Sequence, residues 1–112
     1  MSERNEKLLI EEMIDSVEAI NMFRENLTLD ELRKDRKTLD AILMNLIAIG
    51  ECVNRLSTEF KNEHTAIDWQ NIKGLRNRIA HNYRGVDIEI LWDIVNESLP
   101  TFLSELKKIE KL

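Results

Sequence analysis

The stretch that decides the fold is "LDAILMNLIAIGECVNRLSTEF", residues 39–60, in which large apolar side chains recur every three or four positions. That spacing places them on one face of an α-helix, so the pattern predicts a long amphipathic helix over residues 36–60. Gly50 lies inside this helix, where glycine costs about 1 kcal/mol relative to alanine. We therefore expect a neighbouring helix to pack closely against Gly50.

The N-terminal part of the chain follows the same period. Apolar residues that step by three and four predict a first amphipathic helix over residues 5–26. In "TLDELRK", residues 28–34, Thr28 and Glu31 have the spacing of a capping box, in which each side chain binds the backbone amide of the other residue. A short helical connector is expected there.

Two more helices are predicted after residue 60. Asp68 can cap a third helix that runs through Tyr83, with Gly85 as its stop. Asp87 can cap a fourth along the C-terminal part of the chain, and Pro100 should kink or split it because proline has no backbone N–H. The sequence therefore predicts an all-α protein, an antiparallel four-helix bundle with a short extra helical connector and a Pro-kinked last helix.

Length and composition indicate one helical domain over residues 1–112, since a chain of this size buries enough apolar surface for a single core. Cys52 is the one cysteine, so no internal disulfide can form, and a buried thiol is expected. The first dozen residues carry charges of both signs and no apolar run typical of an export signal. The most apolar segment, residues 41–50, is shorter than the roughly 20 residues of a membrane span. We expect a cytoplasmic protein that crosses no membrane.

Charge is distributed unevenly along the chain. The formal net charge is −5, which argues against a general nucleic-acid coat protein because lysine and arginine supply most non-specific affinity for phosphates. Residues 69–86, here called the basic segment, nevertheless contain no Asp or Glu. Its basic side chains are Lys73, Arg76, Arg78 and Arg84.

Within the basic segment, "RNRIAHNY" at residues 76–83 combines three kinds of side chain. Arginine offers a planar donor fork suited to phosphate, histidine transfers protons near neutral pH, and tyrosine offers a stacking ring with a hydroxyl. A metal-free ribonuclease needs a base, an acid and a cation at the reacting phosphate. His81 and Arg76 are candidates for the proton carrier and the clamp. The simpler interpretation of a basic cluster is a solvated helix face.

The sequence has few residues that could form a metal site or a phosphate-binding loop. No His and Cys pairs have metal-ligand spacing, and no glycine-rich phosphate loop is present, so neither a metal nor a cofactor is predicted. His64 lies in a polar linker and has no comparable surroundings. A second basic group could be solvated or could extend an RNA-binding track. It consists of Arg33, Lys34, Arg36 and Lys37.

The stretch "WQNIKGLRNRIAHNY", residues 69–83, resembles the signature of the HEPN superfamily. A tyrosine two residues after the histidine is the form found in HepT-like ribonuclease toxins, and "AIGE" at residues 48–51 is also similar to that family. The resemblance implies a helical, dimeric, metal-independent ribonuclease toxin. Its partner would be a minimal nucleotidyltransferase of the MNT type that acts as antitoxin.

The resemblance also implies roles for individual residues. Arg76 and His81 would be catalytic, and Asn77 would support the site. Tyr83 would be the residue that the antitoxin modifies with adenylate (AMPylation), which would silence the toxin. Charge alone adds candidate RNA contacts, which are Lys73, Arg78 and Arg84.

Helix geometry raises a difficulty for this site. At about 100° per residue, Arg76 and Tyr83 lie on nearly the same side of a helix, whereas His81 lies about 140° from Arg76. One straight helix therefore does not aim Arg76 and His81 at a single phosphate. Either the helix loosens before His81, or a second chain completes the site in a composite cleft on the axis of a homodimer.

Three functions remain open from the sequence. The first is a ribonuclease toxin that cleaves RNA by attack of its 2′-hydroxyl, which requires RNA because DNA lacks that group. The second is a non-catalytic HEPN module that binds a nucleotide or nucleic acid. The third is a structural helical protein whose basic segment contacts an acidic surface of a partner.

Overall fold

The computed structural model describes residues 3–112, apart from the side chains of Glu3, Arg4 and Arg84. Over this range all regular secondary structure is helical, so the predicted all-α class is confirmed. The α-helices are α1 (Glu3–Arg24), α2 (Leu29–Lys34), α3 (Arg36–Arg55), α4 (Thr58–Glu63), α5 (Trp69–His81), α6 (Ile88–Asp93) and α7 (Leu99–Glu110). A 3₁₀ turn spans Tyr83–Gly85, and a π-helical turn spans Ile94–Ser98.

Helix α3 lies at the centre of the fold because its apolar face is the most continuous in the sequence. It packs against α1 and α5, and α1 also packs against α7. Burial of these faces is the main force that assembles the helices. In α3 the buried residues are Ile42, Leu43, Leu46, Ile49, Gly50, Cys52 and Val53. Along residues 3–112 no helix combines the length and apolar character needed to cross a membrane.

Helix α3 ends at Arg55, so the predicted end at residue 60 is wrong. Leu56 adopts an extended conformation with φ −70° and ψ 142°, and Ser57 starts α4 by accepting a hydrogen bond from the Phe60 amide (3.1 Å). The buried Glu6 carboxylate of α1 accepts the Ser57 hydroxyl at 2.5 Å. This capping chain offers the backbone an alternative to continuing the helix. The apolar period continues past the break because α4 packs Phe60 against the same core.

The N-terminal predictions hold with shifted limits. Helix α1 ends at Arg24, two residues before the predicted limit, and Asn26 has a left-handed backbone with φ 64°. The capping box of the connector is confirmed, because the Glu31 amide donates to the Thr28 hydroxyl (3.2 Å) and the Thr28 amide donates to the Glu31 carboxylate (2.9 Å).

Helix α5 starts as predicted, since the Asp68 carboxylate accepts the Asn71 amide at 3.1 Å. It ends at His81, before the predicted limit at Tyr83, and Tyr83 belongs to the 3₁₀ turn that follows. The Asn82 amide still donates to the Arg78 carbonyl (3.1 Å), so the helix remains regular up to His81. Of the two alternatives for the site, loosening of the helix before His81 is therefore wrong.

The last helix is interrupted where proline predicts it. Helix α6 is capped by the Asp87 carboxylate, which accepts the Glu89 amide at 2.9 Å. The π-helical turn lies directly before Pro100, and the Leu99 amide donates to the Ile94 carbonyl. Because Pro100 has no N–H, a regular α-helical bond is missing there, and a wider turn accommodates the ring.

Candidate active site

Helix α5 presents the basic segment because two buried residues, Trp69 and Ile79, fix its inner face on the core. Arg76 lies on the side that faces α3, where it is half-buried. Asn77 and His81 are exposed on another face of α5. The helix thus fixes the direction of each candidate side chain.

Gly50 of α3 is in close contact with Arg76 of α5. A Cβ atom on Gly50 would overlap Cβ and Cγ of Arg76 and would lie 3.5 Å from its Cα. These atoms are the near part of the side chain, which cannot swing away without moving the α5 backbone. The predicted close packing at Gly50 is therefore confirmed, and its partner is the candidate catalytic arginine.

The Arg76 guanidinium is bound from two sides. Its Nη2 forms an ion pair with Oε1 of Glu51, and its Nη1 donates to Oδ1 of Asn77 at 3.0 Å. Its Nε is buried and has no hydrogen-bond partner within the described part of the chain. The guanidinium can therefore offer a substrate only the remaining hydrogens on Nη1 and Nη2.

Asn77 contacts Arg76 and lies one helical turn before His81 on α5. Asn77 and His81 are four residues apart on α5, so their side chains are neighbours on one face of the helix. The Arg76 side chain is long enough to reach Asn77 from the adjacent face, which reduces the angular misfit that the helical wheel indicates. The His81 side chain is exposed and makes no hydrogen bond or ion pair with another residue that the structure describes.

Of the other basic side chains, that of Arg78 points away from Arg76. Arg78 lies on the opposite side of α5 from Arg76 and lines a groove of ≈ 630 Å³ between α5 and α7, together with Glu97 and Glu105. Lys73 is exposed, and the side chain of Arg84 lies outside the described part of the chain. The basic segment is free of acidic residues only along the sequence, because α3 brings the Glu51 carboxylate to Arg76.

Tyr83 lies at the other end of the α3–α5 contact. Its hydroxyl donates to the backbone carbonyl of Asp40 at 3.4 Å, beside a small cavity of ≈ 70 Å³ that Arg36 also lines. Loss of hydration raises the pKa of the Tyr83 hydroxyl, the hydrogen bond and the negative charge of Asp40 raise it further, and Arg36 opposes the shift.

The structure does not bring Tyr83 to Arg76. Arg76 contacts Glu51 on α3, whereas Tyr83 contacts Asp40 on the same helix. Eleven residues separate these two contacts, about 16 Å along the axis. The helical wheel places Arg76 and Tyr83 on the same side, but Tyr83 lies beyond the end of α5. An adenylate on Tyr83 would therefore not occupy the position of a phosphate at Arg76 of its own chain.

His64 and Cys52 each contact a neighbouring side chain. The His64 ring packs on Phe60 with centroids 4.5 Å apart. Cys52 is buried, as predicted, and its thiol donates to the Glu12 carboxylate at 3.5 Å. Among residues 3–112, no three His, Cys, Asp or Glu side chains are grouped closely enough to hold a metal ion.

Fold and site together define an all-helical protein with an arginine, an asparagine and a histidine presented from one helix. The sequence model of the HepT-like ribonuclease family matches residues 13–109, and the chain belongs to this family. A Methanocaldococcus jannaschii protein named "Putative RNase" is 32% identical over 99% of this chain and 92% of its own length. The "Probable ribonuclease HepT" of Thermococcus cleftensis is 30% identical over 96% of this chain and 98% of its own length. No solved structure matches the chain.

Glu51 is the site residue that the sequence alone does not reveal. It lies outside the basic segment, on another helix, and nothing in its local spacing distinguishes it from the other exposed carboxylates. Its signal in the sequence is its place directly after Gly50 in "AIGE". The structure gives that tetrapeptide a physical meaning, because Gly50 and Glu51 both contact Arg76.

Proposed function

We propose that this protein is a toxin of a type II toxin–antitoxin system and acts as a metal-independent endoribonuclease in the cytoplasm. The observation that carries the proposal is the contact between Arg76 and Asn77, with His81 one helical turn further on the same exposed face as Asn77. Membership of the HepT-like ribonuclease family supports it, as do relatives that are named as ribonucleases.

The proposed reaction is a transfer within the RNA chain. The 2′-hydroxyl oxygen attacks the adjacent phosphorus and gives its proton to a base, while the bond from phosphorus to the 5′-oxygen breaks and that oxygen takes a proton from an acid. The products are a 2′,3′-cyclic phosphate and a 5′-hydroxyl. His81 carries one proton, and Arg76 stabilises the negative charge that grows on the phosphoryl oxygens. The proposed contacts to the RNA backbone are Lys73, Arg78 and Arg84.

The second proton carrier is proposed to come from a second chain. Two helical bundles would form a homodimer with α5 near the two-fold axis, so that one composite cleft on the axis receives both copies of His81. The outer side of α5 supports this arrangement, because a Cβ added to Gly74 would meet no atom within 4 Å. The groove between α5 and α7 is also open in the single chain.

Control of the toxin is proposed to act through Tyr83. A nucleotidyltransferase antitoxin would join the Tyr83 oxygen to the α-phosphorus of a nucleoside triphosphate, with release of the phenolic proton and pyrophosphate. The hydroxyl would first leave the Asp40 carbonyl that it contacts here. Added charge and bulk would then lie near Arg36, at the end of the α3–α5 contact distant from Arg76. Co-expression should add one adenylate to the wild-type chain and none to Tyr83→Phe, and equal modification of both would refute this role.

Cleavage of a labelled single-stranded RNA tests the ribonuclease proposal. In excess EDTA the wild-type protein should leave 2′,3′-cyclic phosphate ends, and an RNA with a 2′-deoxy sugar at the cleaved position should stay intact there. Arg76→Ala and His81→Ala should each lower the rate by about 100-fold or more. Activity that persists in His81→Ala, or that EDTA abolishes, would contradict the proposed mechanism.

A non-catalytic binding module is the second candidate. The ion pair between Glu51 and Arg76 favours it, because a carboxylate on the clamp lowers the charge available to a reacting phosphate. Under this alternative, RNA binds without cleavage and His81→Ala leaves the affinity unchanged. A filter-binding assay beside the cleavage assay separates the two functions.

A further inference from the structure

The two acceptors that hold Arg76 come from different helices. Asn77 precedes His81 on α5, and its amide oxygen accepts from Nη1 at 3.0 Å. Glu51 belongs to α3, and its carboxylate pairs with Nη2. With one acceptor on each terminal nitrogen, the planar group is fixed against rotation about the bond from Nε to Cζ.

The orientation of the guanidinium matters because few of its hydrogens remain free. Of its five N–H groups, the one on Nε is buried without a partner, and Glu51 and Asn77 each engage a terminal nitrogen. One hydrogen on Nη1 and one on Nη2 are left for an incoming phosphate. A rotated guanidinium would offer a different edge and would lose its contact with Asn77.

The backbone of α3 makes this geometry possible. Gly50 lets α5 approach so closely that any larger residue would push Arg76 away. Glu51 is the next residue, so the approach that Gly50 permits also brings the carboxylate to the guanidinium. Gly50, which permits the close approach, and Glu51, which binds the guanidinium, are adjacent on α3.

We propose that Glu51 is a positioning residue, which holds the Arg76 guanidinium in the orientation that the transition state requires. This inference rests on the proposed ribonuclease function. Glu51 would act through Arg76 and would not touch RNA. A preorganised clamp mainly raises kcat, because it is already aligned when charge develops on the phosphoryl oxygens.

A competing role predicts the opposite result. If Glu51 only occupied the place of the RNA phosphate, its removal would increase RNA affinity and activity. The positioning role instead predicts that Glu51→Gln lowers kcat by about 10- to 100-fold, the range for losing a hydrogen bond to a charged group. KM should stay within about 3-fold, because ground-state binding does not depend on the orientation. Glu51→Asp, which keeps the charge, should recover part of kcat.

Glu18 supplies a matched control. Its carboxylate also pairs with a cation on another helix, Lys107 of α7, and its exposed fraction of 52% is close to the 48% of Glu51. Glu18→Gln should leave kcat within about 2-fold of wild type, because an exposed ion pair contributes little to stability. An equal loss of kcat in both variants would overturn the proposal, and so would a wild-type or higher kcat in Glu51→Gln.

A double-mutant cycle tests whether Glu51 acts through Arg76. Arg76→Ala alone and Arg76→Ala combined with Glu51→Gln should have the same residual kcat, since the second change has nothing left to position. If Glu51→Gln lowers kcat by the same factor with and without Arg76, it acts elsewhere and the proposal fails.

A measurement without RNA separates this inference from the ribonuclease proposal. In an ¹⁵N NMR spectrum of the arginine side chains, restricted rotation of Arg76 should give separate Nη signals, assigned by their loss in Arg76→Lys. The signals should merge in Glu51→Gln and stay separate in Glu18→Gln. If the protein cleaves no RNA, the ribonuclease function fails, and this spectrum still decides the positioning. Free rotation in the wild-type chain would overturn it.

Discussion

Gly50 and Arg76 lie directly opposite each other where α3 and α5 meet, and the Cα of Arg76 is 3.5 Å from the point where a Gly50 side chain would begin. This contact determines how closely the two helices approach at the candidate active site. The next residue, Glu51, pairs with the same arginine. Gly50 therefore permits both the close helix packing and the ion pair at Arg76.

The two glycines inside long helices should respond to alanine in opposite ways. Gly50→Ala should lower the free energy of unfolding by about 1–3 kcal/mol, because overpacking exceeds the gain in helix propensity. Gly74→Ala should leave the stability of the monomer unchanged or raise it by up to about 1 kcal/mol, since a Cβ there meets nothing within 4 Å. Urea unfolding of both variants measures the difference, and equal stabilities would contradict the close contact at Gly50.

Gly74→Ala also tests the proposed dimer. If the outer face of α5 contacts a second chain, the added methyl group should weaken dimerisation even though it favours the helix. Sedimentation equilibrium over a range of concentrations measures that change. An unaltered dimer constant would exclude close packing at Gly74 and would move the interface to another face.

Mixed dimers test whether two copies of His81 share one site. In a tagged heterodimer of a wild-type chain and a His81→Ala chain, the specific activity should fall far below half of the wild-type value. Loss of one general acid or base costs about 100-fold or more, so one remaining histidine cannot support normal turnover. A heterodimer that keeps half or more of the wild-type activity would show that catalysis is not shared. A heterodimer of two wild-type chains with the same two tags is the control.

The Cys52 thiol should be unreactive in the folded protein. Its pKa is raised to about 11, mainly by burial and then by the hydrogen bond to Glu12 and the negative charge of that carboxylate. Because only the thiolate reacts, thiol–disulfide exchange near pH 8 should be about 100-fold slower than in the unfolded chain. The sole cysteine can be followed with a chromogenic disulfide reagent, and rapid labelling of the native protein would show that the thiol is accessible.

Tyr83 should titrate above the usual range for a tyrosine. Its pKa is raised mainly by loss of hydration, then by the Asp40 contact. Because the neutral form is favoured in the folded state, this contribution to stability is complete below the unfolded pKa of about 10 and is lost as pH rises through the folded value. As the chain has one tyrosine, absorbance near 295 nm during alkaline titration follows Tyr83 directly. A midpoint at or below that of the unfolded chain would contradict the contact with Asp40.

Much of the fold is determined locally and could be predicted. The apolar period of residues 39–60 identifies α3, and capping residues such as Thr28, Asp68 and Asp87 mark where helices begin, because a cap binds an amide only two or three residues away. The helix limits near Arg55 and His81 were predicted less well. Glu6 binds Ser57 from another helix, and no local pattern contains that contact.

The sequence by itself determined the helical class, the amphipathic faces and the segment that carries Arg76 and His81. Periodicity states which side of a helix is apolar, but it does not state which helix will cover that side. Only the tertiary structure decided that Glu51 meets Arg76 and that Tyr83 contacts Asp40 far from the arginine. These pairings arise from the way α3 and α5 pack, and packing depends on side-chain shape along the whole contact rather than on the order of neighbouring residues.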